Sequence, residues 1–412
     1  MPSAPPPSPG GPRPLRRLVV PVFLPAAVFG VGQGASAPVV ALQARELGAS
    51  IWVAGLIVAL LGLGQVLGDL PAGQVVARIG ERRAVLLGSA VGAVGVALSL
   101  FSWSPVVLGV GVALFGVASA VWGLARQSYV VDAVPPGMRA RALSAMASLS
   151  RLGFLIGPFL GAGVVSLVGP RGGFVVQLVA VLVAGALMAA MPDVTARAPG
   201  APQARSLRAC VAAHRKVLGT LGAATMLMGA ARASRTAVLP LWAEHIGLDP
   251  VTTSLLFGLG AALDVALSYP AGRWMDLRGR RSLAAASLVG FTAAHLVLPL
   301  AGGVVALGAV SALMGVANGL GNGLIMTIGT DAAPDDARAE FLGAWRLCHD
   351  LGMLGGPLLI GAVSGAATLG AAALVMGGLS AVGAGGMARW VPRRRAGQSS
   401  DSVPDSARPS AK

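Results

Sequence analysis

Long apolar runs separated by short polar segments fill most of the sequence. A helix needs about 20 apolar residues to cross a bilayer, and these runs have that length without the strict alternation of a membrane β-strand. The pattern predicts an all-α membrane protein with twelve transmembrane helices. The runs fall at roughly 18–43, 51–73, 84–103, 106–127, 142–168, 173–191, 217–241, 251–272, 282–301, 304–329, 341–364 and 366–390.

The distribution of the runs predicts two six-helix bundles, 18–191 and 217–390, joined by a cytoplasmic linker over 192–216. Polar and proline-rich composition predicts disordered cytoplasmic termini over 1–17 and 391–412. The apolar stretch that begins at Leu18 has no convincing cleavage site after it, so we interpret it as a retained first span.

Composition supports a membrane location, because 55% of the 412 residues are hydrophobic and only 11% are charged. The net charge of +15 comes from arginines that cluster at the ends of apolar runs. Loops on one side hold nearly all of them, whereas the opposite loops hold only Arg45 and Arg171. This asymmetry follows the positive-inside rule and predicts a multi-pass plasma (inner) membrane protein with both termini cytoplasmic, not a nucleic-acid-binding protein.

The second half of the chain repeats the first at an offset of 199 residues. The stretch "GDLPAGQVVARIGERR" begins at Gly68, and "LSYPAGRWMDLRGRRS" begins at Leu267. The same offset relates Asp132 to Asp331 and Gly153 to Gly352. Two pseudo-symmetric bundles in the same orientation imply a pseudo-twofold axis along the membrane normal, and hence transport by rocking of one bundle against the other.

Over about 18–390 the sequence resembles the major facilitator superfamily. The family's loop signature, Gly-x-Leu-Ala-Asp-Arg-x-Gly-Arg-Arg/Lys, is matched in part by both copies, although Ala77, Glu81 and Leu277 depart from it. The resemblance implies a gating loop in each half, with nearby helix-end acids, and we expect the second copy to form the firmer latch. The residues assigned to these loops are Asp69, Gly73, Arg78, Gly80, Arg82, Asp132, Gly272, Asp276, Gly279, Arg280 and Asp331.

A second motif resembles the family's antiporter signature, Gly-x8-Gly-x3-Gly-Pro-x2-Gly-Gly. Gly153, Gly157, Pro158 and Gly161 match it, while Ser144 and Ala162 replace its outer glycines. Within the family this signature is associated with proton-driven exporters. The alternative is ordinary close helix packing with a proline bend.

Several charges lie inside the predicted spans, where each costs about 2.5–3.5 kcal/mol at the bilayer centre. The resemblance implies that spans five and eight adjoin, as do spans two and eleven. An Arg151–Asp264 ion pair is therefore expected, with Asp350 near Gln65 and Arg346 one turn away. Our hypothesis is that Asp264 or Asp350 binds a coupling proton; the alternative is a permanent structural ion pair.

Polar residues of other spans are candidates for a substrate cavity: Gln33, Arg232, Arg235, Asn318 and Asn322. The arginines sit three apart on one helix face and bind an anionic group or line the cavity. Alternatively, they snorkel or pair with Glu244. The amides either contact substrate or bond to neighbouring helices. Positive charges predominate in the interior, which favours a neutral or acidic amphipathic substrate over a cationic drug.

These features predict a proton-coupled secondary active transporter that exports a small organic molecule by alternating access. The alternatives are an importer or uniporter, or a membrane enzyme or receptor, for which HExxH, Walker A and Gly-x-Ser-x-Gly motifs are missing from the sequence. We expect substrate, protons and the lipid bilayer as partners, a monomer, and no cofactor, metal or nucleic acid.

Overall fold

The computed structural model describes residues 23–189, 211–334 and 338–392, and within them every regular element is helical. The all-α prediction is confirmed. The termini predicted to be disordered (1–17 and 391–412) and the linker 192–216 lie wholly or mostly outside the described residues. The helices are α1 Leu24–Ser36, α2 Val39–Glu46, α3 Ile51–Ile79, α4 Glu81–Leu100, α5 Pro105–Ala133, α6 Arg139–Val168, α7 Arg171–Ala189, α8 Ala223–His245, α9 Pro250–Arg278, α10 Arg280–Val297, α11 Val304–Leu320, α12 Leu324–Ala332, α13 Arg338–Ala366 and α14 Leu369–Trp390.

The helices correspond closely to the predicted spans. Ten described segments are long and apolar enough to cross a membrane, and there are eleven if α1 and α2, bent by 41°, count as one span. The α11–α12 pair is already one of the ten. The predicted span 217–241 is helical in α8 but fails this test, because Arg232 and Arg235 lower its mean hydropathy.

Two predicted spans are broken where the sequence pattern predicted continuous helices. Span one breaks between α1 and α2, just before Pro38, whose ring cannot continue the hydrogen-bond ladder. Span ten breaks at 321–323, where Gly323 takes a left-handed conformation with φ 78°. Glycine adopts this conformation without the Cβ clash that other residues meet.

The 199-residue repeat is present in the packing as well as in the sequence. A Cβ on Gly153 of α6 would clash with the carbonyl oxygen of Ala27 in α1, and one on Gly352 of α13 would clash with that of Met226 in α8. Gly157 and Gly356 make the next contacts along the same two helix interfaces, α1 with α6 and α8 with α13, which we call seams. Gly80 and Gly279, at the α3–α4 and α9–α10 turns, share φ values of 81° and 84°.

The two groups of helices, α1–α7 and α8–α14, meet along α3 with α13 and α6 with α9. These are the neighbours that the family resemblance implies. We call the loops after α3, α5, α9 and α12 the basic end, since they carry the arginine clusters, and the other side the opposite end.

At the opposite end the two groups are packed together. Gly55 of α3 lies against Gly361 of α13, and Gly258 of α9 lies against the Phe159 ring of α6. The Arg45 Nε of α2 is 2.9 Å from Glu244 Oε1 of α8, and these two residues are themselves 199 positions apart. At the basic end a Cβ on Gly73 or Gly272 would meet nothing within 4 Å. The molecule is therefore closed at the opposite end.

Candidate functional site

A central cavity of about 250 Å³ lies between the two groups of helices. Its apolar wall includes Phe115, Phe154 and Phe174 from the first group and Met353 from the second. No carboxylate is among the described residues that line it. The polar side chains of its wall are Gln33, Ser36, Gln65, Ser99, Gln177, Arg232, Arg235, Thr236 and Asn318.

The two arginines of α8 enter the cavity wall from the same helix face, as their spacing predicts. Arg235 is only 7% exposed, and its guanidinium carbon lies 5.2 Å from the centre of the Phe257 ring. Within the described residues Arg235 forms no hydrogen bond or ion pair, and its Nε is buried without an acceptor. Arg232, by contrast, donates to Asn322 Oδ1 at 3.0 Å.

Asp264 of α9 is buried directly behind this wall and is held by amides. Asn318 Nδ2 donates to Asp264 Oδ2 at 2.7 Å, and Asn322 Nδ2 donates to Asp264 Oδ1 at 2.6 Å. Asn322 is also 2.7 Å from the Ser268 hydroxyl. We call Arg232, Asp264, Ser268, Asn318 and Asn322 the Asp264 cluster; it connects a buried carboxylate to the cavity through Asn318 and Arg232.

The break between α11 and α12 places Asn322 in this cluster. Asn322 sits in the turn between two helices, so its side chain is not confined to the direction that a continuous helix would impose. The sequence Gly321-Asn322-Gly323 carries the signal for such a break, because glycines on both sides of an asparagine are typical of turns. Asn322 was among the candidate residues predicted from the sequence, but the helix break, Ser268 and Gln177 were not.

The expected ion pair between Arg151 and Asp264 is wrong. Asp264 accepts from two amides, and within the described residues Arg151 forms no ion pair with it. The reason is that α6 and α9 meet through apolar groups, Phe159 on Gly258 and Phe154 beside Phe257, while α11 lies close enough to supply neutral donors. The suggested pairing of the cavity arginines with Glu244 is also not formed, since Glu244 pairs with Arg45.

A second cleft of about 140 Å³ opens between α3, α5 and α13, on the basic-end side of the cavity. Gln65 and Asp350 both line it, as the repeat predicts, together with Asp69 and Arg346. Arg346 Nε lies 3.6 Å from Asp350 Oδ2 within α13, and His349 Nδ1 lies 3.2 Å from Asp350 Oδ1. This cleft, which we call the basic-end cleft, brings acids of both groups of helices together.

The loop residues of the two copies make different contacts. Arg280 forms an ion pair with Asp331 between α10 and α12. In the first copy, Arg82 donates to the carbonyl of Ala189, and Asp132 has no hydrogen bond or ion pair with the described residues. The Arg78 side chain is exposed. The side chain of Asp276 lies outside the described residues, so its expected role in the latch stays a prediction.

Comparison with known proteins places this architecture in a family. The model of the Major Facilitator Superfamily matches residues 22–223 and 221–410. Multidrug resistance protein MdtH of Yersinia enterocolitica is 24% identical over 232 residues, which are 56% of this chain and 57% of that protein. The matched segment thus spans less than two thirds of the curated relative.

Solved structures of transporters share the fold. The nucleoside transporter NupG is 15% identical with a TM-score of 0.71, and the alignment covers 91% of this chain and 98% of NupG. The inward open conformation of the xylose transporter XylE from E. coli is 15% identical with a TM-score of 0.69, over 93% and 98% of the two chains. At this identity the likeness shows the fold alone. The family match across both halves shows that the chain belongs to the Major Facilitator Superfamily of membrane transporters.

Proposed function

We propose that the chain is a proton-coupled secondary transporter that exports a small organic molecule. The observation that carries this proposal is the Asp264 cluster, in which a buried carboxylate is linked to the wall of a central cavity between two related groups of helices. A titratable group beside a cavity can make cargo affinity depend on protonation. Members of the Major Facilitator Superfamily are transporters, not enzymes.

The packing supports alternating access. The two groups are closed at the opposite end by the Gly55–Gly361 and Gly258–Phe159 contacts and by the Arg45–Glu244 ion pair. The basic-end cleft lies on the other side of the cavity. If the basic end is cytoplasmic, as the positive-inside rule predicts, the molecule faces inward. Rocking about the cavity then requires the contacts at the opposite end to separate.

Asp264 is the proton site that we favour. Its protonation removes the negative charge near Arg232 and replaces an acceptor with an O–H donor, so the donors of Asn318 and Asn322 must rearrange. That rearrangement reaches the cavity because Asn318 is part of its wall. Asp350 is the second candidate, since it lines the cleft between the two groups together with Asp69 of the first group and lies one helical turn from Arg346.

Export is the direction favoured by similarity to a multidrug resistance protein. Proton-driven uptake is a second candidate function, and the cavity electrostatics favour it for one class of cargo. Once Asp264 is neutral, Arg232 and Arg235 attract an anion more strongly. An anion and a proton that raise each other's affinity favour cotransport. In an exchanger, binding of one must instead lower the affinity for the other.

Transport in proteoliposomes of known protein orientation tests these proposals. A pH gradient is imposed in each direction in turn. It should drive accumulation in only one of them, and that direction separates exchange from cotransport. Asp264→Asn, which resembles the protonated carboxyl, should lose gradient-driven accumulation but retain exchange of labelled for unlabelled cargo. Gln65→Asn, at the equivalent position of the first half, is the matched control for proton coupling alone, because Gln65 lines the cavity but does not titrate. Undiminished gradient-driven accumulation in both Asp264→Asn and Asp350→Asn would overturn proton coupling through either residue.

A further inference from the structure

Arg235 is a buried cation that forms no ion pair or hydrogen bond within the described part of the chain. Its side chain is only 7% exposed, lines the central cavity and lies over the Phe257 ring. The Asp264 carboxylate is within electrostatic range of Arg235 but is bonded to two amides instead. We propose that the central cavity binds a small amphipathic organic anion, and that Arg235 is the group that binds its carboxylate. This inference rests on the proposed transport function and names the chemical class of its cargo.

A charge taken out of water is stable only when it is paired or hydrogen-bonded, because its desolvation cost is large. Two half-buried arginines meet this requirement in part, although the Arg126 Nε is also buried without an acceptor. Arg232 donates to Asn322 in the Asp264 cluster, and Arg126 lies over the Trp122 ring and donates to Ser150 Oγ at 3.2 Å. Arg235 lacks any such acceptor, and its Nε is buried without one. An anionic cargo would supply the missing acceptor.

The charge balance around the cavity also favours an anion. Among the described residues, Asp264 is the one carboxylate within electrostatic range of Arg232 and Arg235, and two amides already engage it. Arg151 of α6 lies within electrostatic range of Arg232 and adds a third positive charge. A cationic cargo would find no carboxylate among the described residues of the wall. The guanidinium fork matches the two oxygens of a carboxylate.

The remaining wall indicates the rest of the cargo. Phe115, Phe154 and Phe174 provide an apolar surface, and Gln33 and Gln177 provide amides for hydrogen bonds. The cavity of about 250 Å³ is small, since ligand sites usually measure about 300–1,000 Å³. A small monocarboxylate with one aromatic or aliphatic body fits this combination of size, charge and apolar wall.

Binding of matched congeners to the purified full-length protein tests the inference. Three skeletons are compared as carboxylate, primary amide and amine: 3-phenylpropionate, 2-naphthylacetate and octanoate with their amides and amines. Isothermal titration and thermal shift report affinity. We expect at least one carboxylate to bind more tightly than its amide and amine. A preference for the amine, or no carboxylate binding in any skeleton, overturns the inference.

Variants assign the preference to Arg235. Arg235→Gln should weaken carboxylate binding by about 10- to 100-fold and leave amide binding unchanged, because only a charge-assisted bond is lost. Arg235→Lys keeps a positive charge at this position and should retain the preference for the carboxylate. This result would show that the charge at position 235 is sufficient for the preference. Arg126→Gln, a half-buried arginine that is not part of the cavity wall, should keep the preference. Equal loss in Arg126→Gln and Arg235→Gln would contradict the assignment.

The outcomes separate this inference from the proposed function. If the carboxylate binds through Arg235 but no pH gradient drives its transport, proton coupling fails and the inference stands. If the neutral or cationic congener binds regardless of Arg235 and is moved by a pH gradient, the inference fails and the proposed function stands.

Discussion

The two halves of the molecule share a backbone frame but differ in chemistry. Helix seams and turn glycines recur at the 199-residue offset, as in the pairs Gly153–Gly352 and Gly80–Gly279. At the cavity, the same offset relates neutral residues of the first half to charged or amide residues of the second. The pairs are Gln33–Arg232, Ser36–Arg235, Gln65–Asp264 and Ser119–Asn318.

This difference shows how a duplicated fold acquires a directional function. Glycine positions are fixed by backbone approach and positive φ, so both copies keep them. Side chains facing a cavity are free of that restraint and can diverge. The charged groups of the cavity wall and of the Asp264 cluster lie on α8 and α9. The first half contributes a neutral polar and aromatic wall, with Arg151 behind it within electrostatic range of Arg232. We infer that proton and cargo chemistry belong to the second half.

The same comparison bears on the antiporter-like motif. Gly153 and Gly157 form the α1–α6 seam, and Gly352 and Gly356 form the equivalent seam between α8 and α13. Pro158 lies inside α6 without interrupting it. The glycines therefore have a packing role in both halves, which by itself favours neither direction of transport.

The largest expected effect tests the shared frame. Gly153→Ala and Gly352→Ala each place a Cβ against a backbone carbonyl, so each should destabilise the protein by about 1–3 kcal/mol through overpacking. Thermal unfolding in detergent measures this as a lower Tm. Gly163→Ala, where a Cβ would meet nothing within 4 Å, is the control within α6. A large effect in only one of the two seams would break the equivalence of the halves.

An intermediate effect is expected at the break that only the second half contains. Gly323→Ala puts a Cβ on a residue with φ 78°, at a cost of about 1–2 kcal/mol, and should also displace Asn322 from Asp264. We expect a lower Tm and weaker proton-driven accumulation. Gly123→Ala is the control, because Gly123 is the counterpart of Asn322, lies in continuous helix and has open space around it. Equal loss of coupling in the two variants would show that the break has no special role.

Features that depend on local sequence signals were predictable, whereas features that depend on how distant helices pack were not. Span positions and the repeat were predictable, because apolar length and polar loop residues are local signals. The contacts of α3 with α13 and of α6 with α9 were expected only from the family resemblance. The partners of Asp264 were not, since they depend on whether α6 or α11 offers a donor at the right depth. The turn at 321–323 was missed because apolar residues continue on both sides of it. Proton coupling and the loop roles stay predictions.

The smallest expected effect on stability concerns the loops, where the halves differ in pairing. Arg280 and Asp331 are paired, but their side chains are 39% and 44% exposed, so the pair should contribute about 0–1 kcal/mol to stability. Its expected role is kinetic: Asp331→Ala should change the rate of cargo exchange while Tm stays nearly constant. The double variant with Arg280→Asp and Asp331→Arg should restore the rate of cargo exchange if the ion pair itself matters. Asp132→Ala, at the equivalent position of the first half, should change little because Asp132 has no partner within the described residues. If Asp132→Ala alters the exchange rate as much as Asp331→Ala does, the latch is shared by both halves and the asymmetry argued from the loop residues is wrong.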